Sequence, residues 1–429
     1  MKVVDVERIV VDVPFTPRQQ QIAAREVYNW SILELCKVTT DSGHVGWGET
    51  VLHYTWARVS DAAVERVKGQ SPAKHMNDDS LGAGLQMALF DVVGKALGVP
   101  VYELLGAKVR DWVPISWWSI DASPEDWAAE ARDAVAAGYT SFKLKPRPWR
   151  DIVAQIDAIA RVVPPHFKLD LDPNATWQNA ASAIPIIRRL EKWDNVAMFE
   201  TPIPQHDVLG NKQIRASVGR PLAMHFGSPP FITNVREGVC DGYVLCAGRS
   251  ALERQATLSA EAQLPFWLQL VGCGLTTTWA AHLGSVFTNA TWPAITCLNL
   301  YTHHLLRRPI EVLGGYHRVP DGPGLGVEVD EEAMRRFRVP DDKVEEARRQ
   351  GRPYDHPGPR LISTVVYPDG SCVHMANAGQ GYGYFGSGNG PAYVEGVRLE
   401  PRPDDGSREW ADLFGRAQLH PVRDRWQGR

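Results

Sequence analysis

The stretch FKLDLDPNATW, residues 167–177, decides how this chain is read. Leucines alternate with Lys168, Asp170 and Asp172, the period of a β-strand, so Asp170 and Asp172 project from one face. Pro173 ends the run. Two carboxylates therefore stand at the carboxyl end of a short strand. Upstream, FKLK (142–145) places Lys143 and Lys145 on one face of the preceding strand. Downstream, VAMFE (196–200) ends in Glu200, PLAMH (221–225) in His225, and GYVLC (242–246) in Cys246, while PFWLQL (265–270) carries Gln269. From Lys145 to Gln269 these polar strand ends recur every 21 to 28 residues, the length of one strand–helix unit.

Two more apolar runs, VPISWWSI (113–120) and AITCLNL (294–300), bring the strands to eight. Between strands lie stretches with helical spacing, such as DIVAQIDAIARVV (151–163) and AASAIPIIRRLEKW (180–193). Alternation of this kind implies parallel strands joined by right-handed crossovers. Eight units in about 200 residues fit a (β/α)8-type barrel, whose active sites are built at the carboxyl ends of its strands. The expected class is α/β: this barrel at 111–310, an N-terminal α+β capping domain at 1–110 with a return segment at about 311–340, and a C-terminal extension at 341–429.

In the N-terminal part, ILELCKVTTDSGHVGWGETV (32–51) reads as two strands joined by a turn at Asp41–Gly43. SLGAGLQMALFDVVGKALG (80–98) reads as an amphipathic helix closed by Gly98. In the extension, RLISTVVYPDGSCVHMA (360–376) is a hairpin with a Pro-Asp-Gly turn. The following GQGYGYFGSGNGP (379–391) contains GYGYFG, a formal dinucleotide fingerprint. Further glycines and Pro391 follow where that motif needs a helix, so the segment reads as a flexible loop that covers a site.

The 429 residues are 44% hydrophobic and carry a net charge of −4 with both signs interspersed, which points away from nucleic acid. No apolar run spans a membrane, and the opening MKVVDVERIVVDVPF is strand-like rather than a secretory signal. The six cysteines (36, 240, 246, 273, 297, 372) have neither CxxC nor zinc-finger spacing and read as reduced thiols of a cytoplasmic protein.

Two interior ammoniums repel, which lowers the pKa of one and makes it a usable base; the competing reading is that both neutralise Asp170 or Asp172. Hard divalent cations want carboxylates converging from neighbouring strands, as Asp172 and Glu200 do.

This constellation resembles the enolase superfamily, mandelate racemase/muconate lactonizing enzyme branch, over residues 1 to about 335. VTTDSGHVGWGE (38–49) resembles its capping hairpin, and GLQMALFDVVGKALGVPVYELLG (84–106) its capping helix and barrel entry. GYTSFKLK (138–145) matches its KxK base motif, DLDPNATW (170–177) and FETP (199–202) its first two metal-ligand motifs, and VPDGPGLGVEVD (319–330) its return segment. The resemblance implies a divalent metal, usually magnesium, on Asp172 and Glu200. It also implies a lysine, Lys143 or Lys145, that removes the proton α to a substrate carboxylate, leaving an enediolate. Three positions depart from the pattern. His225-Phe226 stands where the third metal carboxylate is expected. Cys246 replaces a second lysine or the aspartate of an Asp-His dyad, and Gln269 replaces the dyad histidine.

His225 then has three readings: a third metal ligand, shifting preference toward manganese, iron, zinc or nickel; a substrate contact or proton carrier; or a structural residue of a site without metal. Cys246 is a second catalytic candidate, though a strand-end cysteine is more often inert. With one evident basic face, the sequence favours one-base β-elimination, as in an acid-sugar dehydratase, or cycloisomerisation, ahead of racemisation. The competing class is a barrel that binds without turnover or works without metal. Expected substrate contacts are Asn174, Arg147, Gln269, Trp117, Tyr54, His53 and Asn299, with Arg18, Arg25 and Trp56 on the loops 15–30 and 52–60. The expected partners are a small carboxylate, such as a sugar acid, and further copies of the chain.

Overall fold

The computed structural model describes residues 1–54 and 57–426, the side chain of Ala378 excepted; Trp56 lies outside them. The chain divides into two compact units. One holds residues 1–16, 29–118 and 243–356, the other 17–28, 119–242 and 357–429.

The first unit begins with a three-stranded antiparallel sheet, β1 (Val3–Asp12), β2 (Ile32–Thr40) and β3 (Val45–Val51), in chain order. The β2–β3 turn falls at Asp41–Gly43 as the sequence predicts, with Gly43 at φ +82°. The helix Ala83–Leu97 lies on this sheet. A Cβ on Gly46 or Gly48 of β3 would collide with the carbonyl of Ala88 or Gly84, so two glycines permit the contact. The helix is buried continuously from Gly84 to Gly94, which corrects the amphipathic reading: neighbours cover its whole circumference. Gly98 closes it in the left-handed conformation, as the sequence indicates.

Next come β4 (Trp112–Pro114) and β5 (Trp117–Ser119). The second unit then carries β6 (Ser141–Leu144), β7 (Lys168–Leu171), β8 (Val196–Glu200) and β9 (Leu222–His225), all parallel and paired in chain order. The first unit resumes with β10 (Gly242–Leu245) and β11 (Phe266–Leu268), again parallel. The expected eighth strand is reduced. Ala294 bridges in parallel to Ile115 and Ile295 to Gln269, after which the chain turns into the short helix Leu298–Leu300. Those two bridges link the segment to both the first and the seventh strand positions, the closure a barrel needs. Strand β12 (Tyr316–Arg318) pairs back antiparallel to β4.

The extension is a folded module. Strands β13 (Leu361–Val366), β14 (Ser371–Met375), β15 (Arg398–Pro403) and β16 (Val422–Arg425) form an antiparallel sheet in the order β15-β13-β14-β16. The expected hairpin is β13–β14. The glycine-rich stretch is not a loop: Ala378–Gly386 is helical, capped by the Asn377 side chain on the Gly379 amide. The reason is tertiary. Phe385 enters a core with Val365, Val373, Met375, Val397, Leu399 and the barrel residue Trp149. Gly381 lets the helix approach, because a Cβ there would stand 2.9 Å from the Trp149 ring. Gln178, beyond β7, donates from Nε2 to the carbonyls of Phe385 and Gly390 at 2.9 and 3.0 Å. Gln178→Ala is therefore expected to cost about 1–2 kcal/mol, seen as a lower melting temperature with unchanged secondary structure by circular dichroism.

Among the described residues no helix is long and apolar enough to cross a membrane.

Candidate functional site

In the second unit Lys143 pairs in register with Asp170, and Glu200 with Ala223. Alternation sends Lys143, Lys145, Asp170, Asp172 and Glu200 to one face, and all five are buried. The Lys143 ammonium contacts Glu200 Oε2 and lies 3.6 Å from Asp172 Oδ2. The Lys145 ammonium contacts Asp172 Oδ2 and donates to Asn174 Oδ1 at 3.2 Å. Asp172 Oδ1 accepts the Asn174 amide N–H at 2.9 Å. His225 Nε2 stands 3.2 Å from Glu200 Oε1, and its side chain is 38% exposed where Glu200 is fully covered. The main-chain N–H of His225 donates to Gln205 Oε1 at 2.7 Å, which fixes the end of β9.

The two lysines differ. Burial pulls the Lys143 pKa down, but Glu200 and Asp172 outweigh it and hold the group above the usual lysine value. For Lys145, burial dominates and Lys143 adds to it; against the pull of Asp172, the net shift is downward. Burial would raise Glu200, but Lys143, His225 and Lys145 hold it well below the ordinary carboxylate range. Burial pushes Asp170 up to about 7, so it is largely protonated in mildly acidic solution.

Arg147, just beyond β6, is 2% exposed. Its Nη1 donates to the Asp172 carbonyl at 3.0 Å, and its Nη2 to Asn174 Oδ1 at 2.9 Å and to the Tyr382 hydroxyl at 2.8 Å. Tyr382 in turn donates to Glu26 Oε1. Nearby, Asp121 accepts from Arg25, from Trp149 Nε1 at 3.0 Å and from Arg150 Nε at 3.1 Å. Arg18 pairs with Glu130 at 2.9 Å on the barrel helix Pro124–Ala136. Sequence reasoning missed Tyr382 and Glu26. The one signal for Tyr382 is an aromatic residue inside a glycine-rich stretch, and the glycines favour a loop.

The first unit holds the other expected residues. Tyr54, Cys246 and Gln269 line a cavity of about 70 Å³ with Asp79, Glu49 and Gln86. Gln269 Nε2 donates to the Tyr54 hydroxyl at 3.2 Å, and burial raises that phenol well above its usual pKa. Glu49, also buried, accepts the Cys273 amide and is pushed up to about 7 by burial. His53 Nε2 lies 2.7 Å from the Tyr354 carbonyl. Asn299 pairs its carboxamide with both main-chain groups of Trp118, at 3.1 and 2.9 Å, so its polar atoms serve the chain. Trp118 is buried and stacked on Trp30, while Trp117 is half-buried, as strand alternation requires.

Comparison with known proteins agrees with this architecture. Residues 126–333 match the family model for the enolase C-terminal domain-like group. Muconate cycloisomerase 1-1 of Acinetobacter lwoffii is 27% identical over 375 residues, 79% of this chain and 97% of its own. D-galactonate dehydratase of Variovorax paradoxus is 27% identical over 350 residues, 70% of this chain and 89% of its own. The solved mandelate racemase/muconate lactonizing family protein of Azoarcus sp. EbN1 superposes with a TM-score of 0.65 at 26% identity, covering 79% of this chain and 98% of that one. The chain belongs to the enolase superfamily, in its mandelate racemase/muconate lactonizing enzyme branch. Its fold is the mixed α/β barrel of that branch, with an antiparallel N-terminal domain. Its relatives are cycloisomerases, dehydratases and racemases, the proton-abstracting enzymes of the superfamily.

Enzymes of this superfamily generally use magnesium, which takes oxygen donors in near-octahedral geometry. Asp172 and Glu200 supply two carboxylates, but β9 ends in an imidazole. The Lys143 ammonium touches both carboxylates and takes the central position between them. Among the described residues no group of three or more His, Cys, Asp or Glu has the geometry to hold a metal ion. As arranged, these residues fit an ammonium and do not fit magnesium.

Proposed function

We propose that the protein removes the proton α to the carboxylate of a small 2,3-dihydroxy acid, with Lys145 as base, and then expels the β-hydroxyl as water. One observation supports this above the rest: the lysine pair is divided, Lys143 lying between Asp172 and Glu200 while Lys145 faces Asp172 and Asn174. In its amine form Lys145 takes the α-proton. The C–H electron pair moves into the substrate carboxylate, and the Lys143 ammonium meets the charge that develops on its oxygens. Preorganised donors aimed at developing charge in a water-poor site are the usual source of such stabilisation. As the enediolate collapses, the β-hydroxyl leaves with a proton from the His225 imidazolium, which Glu200 orients. The enol product then tautomerises to a 2-keto acid. His225 is the exposed member of the cluster, which suits a group that hands a proton to substrate.

Incubation with galactonate, other acid sugars and muconate in D2O, followed by proton NMR, tests the reading. Exchange of the α-proton with appearance of a 2-keto acid supports it. A lactone from muconate without loss of water would assign cycloisomerisation instead, and no α-exchange on any carboxylate would remove the proposal. The metal question is separate. Protein purified without chelator is expected to carry well under one divalent ion per chain by elemental analysis, and to keep its activity after dialysis against EDTA. One tightly held ion per chain, with activity lost on its removal, would overturn the role of Lys143 and leave that of Lys145 standing.

A further inference from the structure

We infer that Tyr382, contributed by the C-terminal extension, is a positioning residue for the catalytic lysine: its hydroxyl stands between Arg147 and Glu26 and keeps the guanidinium on Asn174. The inference rests on the reading of Lys145 as base. Tyr382 is placed by the fold of the extension. Its helix is capped by Asn377, Gly381 brings that helix against Trp149, and the Tyr382 ring meets Trp149 edge-on at 5.8 Å. The Arg147 guanidinium lies 5.0 Å from the centre of the same ring. From there the contacts run inward without a gap. The hydroxyl accepts from Arg147 Nη2, which also donates to Asn174 Oδ1. That oxygen accepts in addition from Lys145 Nζ, and the Asn174 N–H holds Asp172, the carboxylate that pairs with Lys145.

Outward, the hydroxyl donates to Glu26. A buried cation and a half-buried anion, the latter also 3.2 Å from Arg25, are thus separated by one hydroxyl group. Oppositely charged groups away from water attract strongly and tolerate poor pairing badly. With the hydroxyl removed, Arg147 and Glu26 close on each other. Arg147 then leaves Asn174 and the Asp172 carbonyl, and Asn174 no longer fixes the lysine.

Four proteins decide it: wild type, Tyr382→Phe, Glu26→Gln and the double variant Tyr382→Phe/Glu26→Gln. On a carboxylate that the wild type turns over, Tyr382→Phe is expected to lower kcat about tenfold or more with KM within about twofold, the signature of a misplaced catalytic group. The double variant removes the competing anion and is expected to regain most of that loss. A tyrosine that only packs gives the opposite order, with the double variant worse than the single one, and that result overturns the inference. So does an unchanged kcat in Tyr382→Phe. If no carboxylate is turned over, the proposed function fails, but crystal structures of wild type and Tyr382→Phe still decide this point. Arg147 displaced from Asn174 toward Glu26 supports it, and Arg147 unmoved refutes it.

Discussion

Lys145→Ala is expected to lower kcat by about 10³–10⁴ while the protein stays folded, the size of effect that loss of a positioned general base produces. The fold should survive because Asp172 keeps its remaining partners: the Asn174 amide at 2.9 Å and the Lys143 ammonium at 3.6 Å. Lys145→Arg is expected to be as inactive as alanine, since a guanidinium does not give up its proton in water. The pH profile carries the sign. Proton removal needs the amine form, so kcat/KM rises with pH through the Lys145 pKa. Burial and the Lys143 charge place that pKa below the usual lysine value, so the rise should be complete at lower pH than for an ordinary lysine. Steady-state kinetics from pH 6 to 10, with circular dichroism on each variant, measure both. A Lys145→Ala protein retaining more than about a tenth of wild-type kcat would assign the base elsewhere, with Lys143 the first alternative.

Much of this site is legible in the sequence because strand alternation is rigid. Once FKLK, DLD and AMFE are read as neighbouring parallel strands, Lys143, Lys145, Asp170, Asp172 and Glu200 must share a face, and the observed registers keep them there. What alternation cannot give is which charge pairs with which. Lys143 goes to Glu200, two strands away, while Lys145, nearer its strand end, stays with Asp172. Under the proposed function, that division separates the cation that meets the developing charge from the base. Long-range packing escaped for another reason. GYGYFG lacks helical periodicity and is rich in a residue that weakens helices, so its local preference is for loop. The helix forms because Phe385 and Trp149 share a core, and Trp149 lies more than two hundred residues earlier in the chain. AITCLNL failed in the other direction: an apolar, partly β-branched run that bridges at Ala294 and Ile295 and then turns. Short apolar runs do not distinguish these outcomes by pattern alone.

Lys143→Met tests the claim that an ammonium takes the place of a divalent ion. Asp172 and Glu200 are both fully covered, and Lys143 is the cation in contact with each. Methionine fills a similar volume without charge and leaves Glu200 buried beside His225. Breaking a buried pair from one side costs about 3–5 kcal/mol, because the remaining charge is uncompensated. The melting temperature should therefore fall by roughly 5–15 °C. The neighbouring base should respond as well. Lys143 is one of the groups that lower the Lys145 pKa, so its removal shifts the rise of the pH–activity profile upward, on whatever activity survives. Two further results separate a missing cation from simple loss of packing. Glu200→Gln in the Lys143→Met background removes the stranded charge and should recover most of the lost stability. Millimolar Mg²⁺ or Mn²⁺ should raise the melting temperature of Lys143→Met, by binding its folded state, and leave wild type and the double variant unchanged. If the wild type is stabilised by the metal as strongly as Lys143→Met is, the ammonium is not the resident cation of the site. Asp172 and Glu200 would then hold a metal in the native enzyme, with Lys143 displaced from between them.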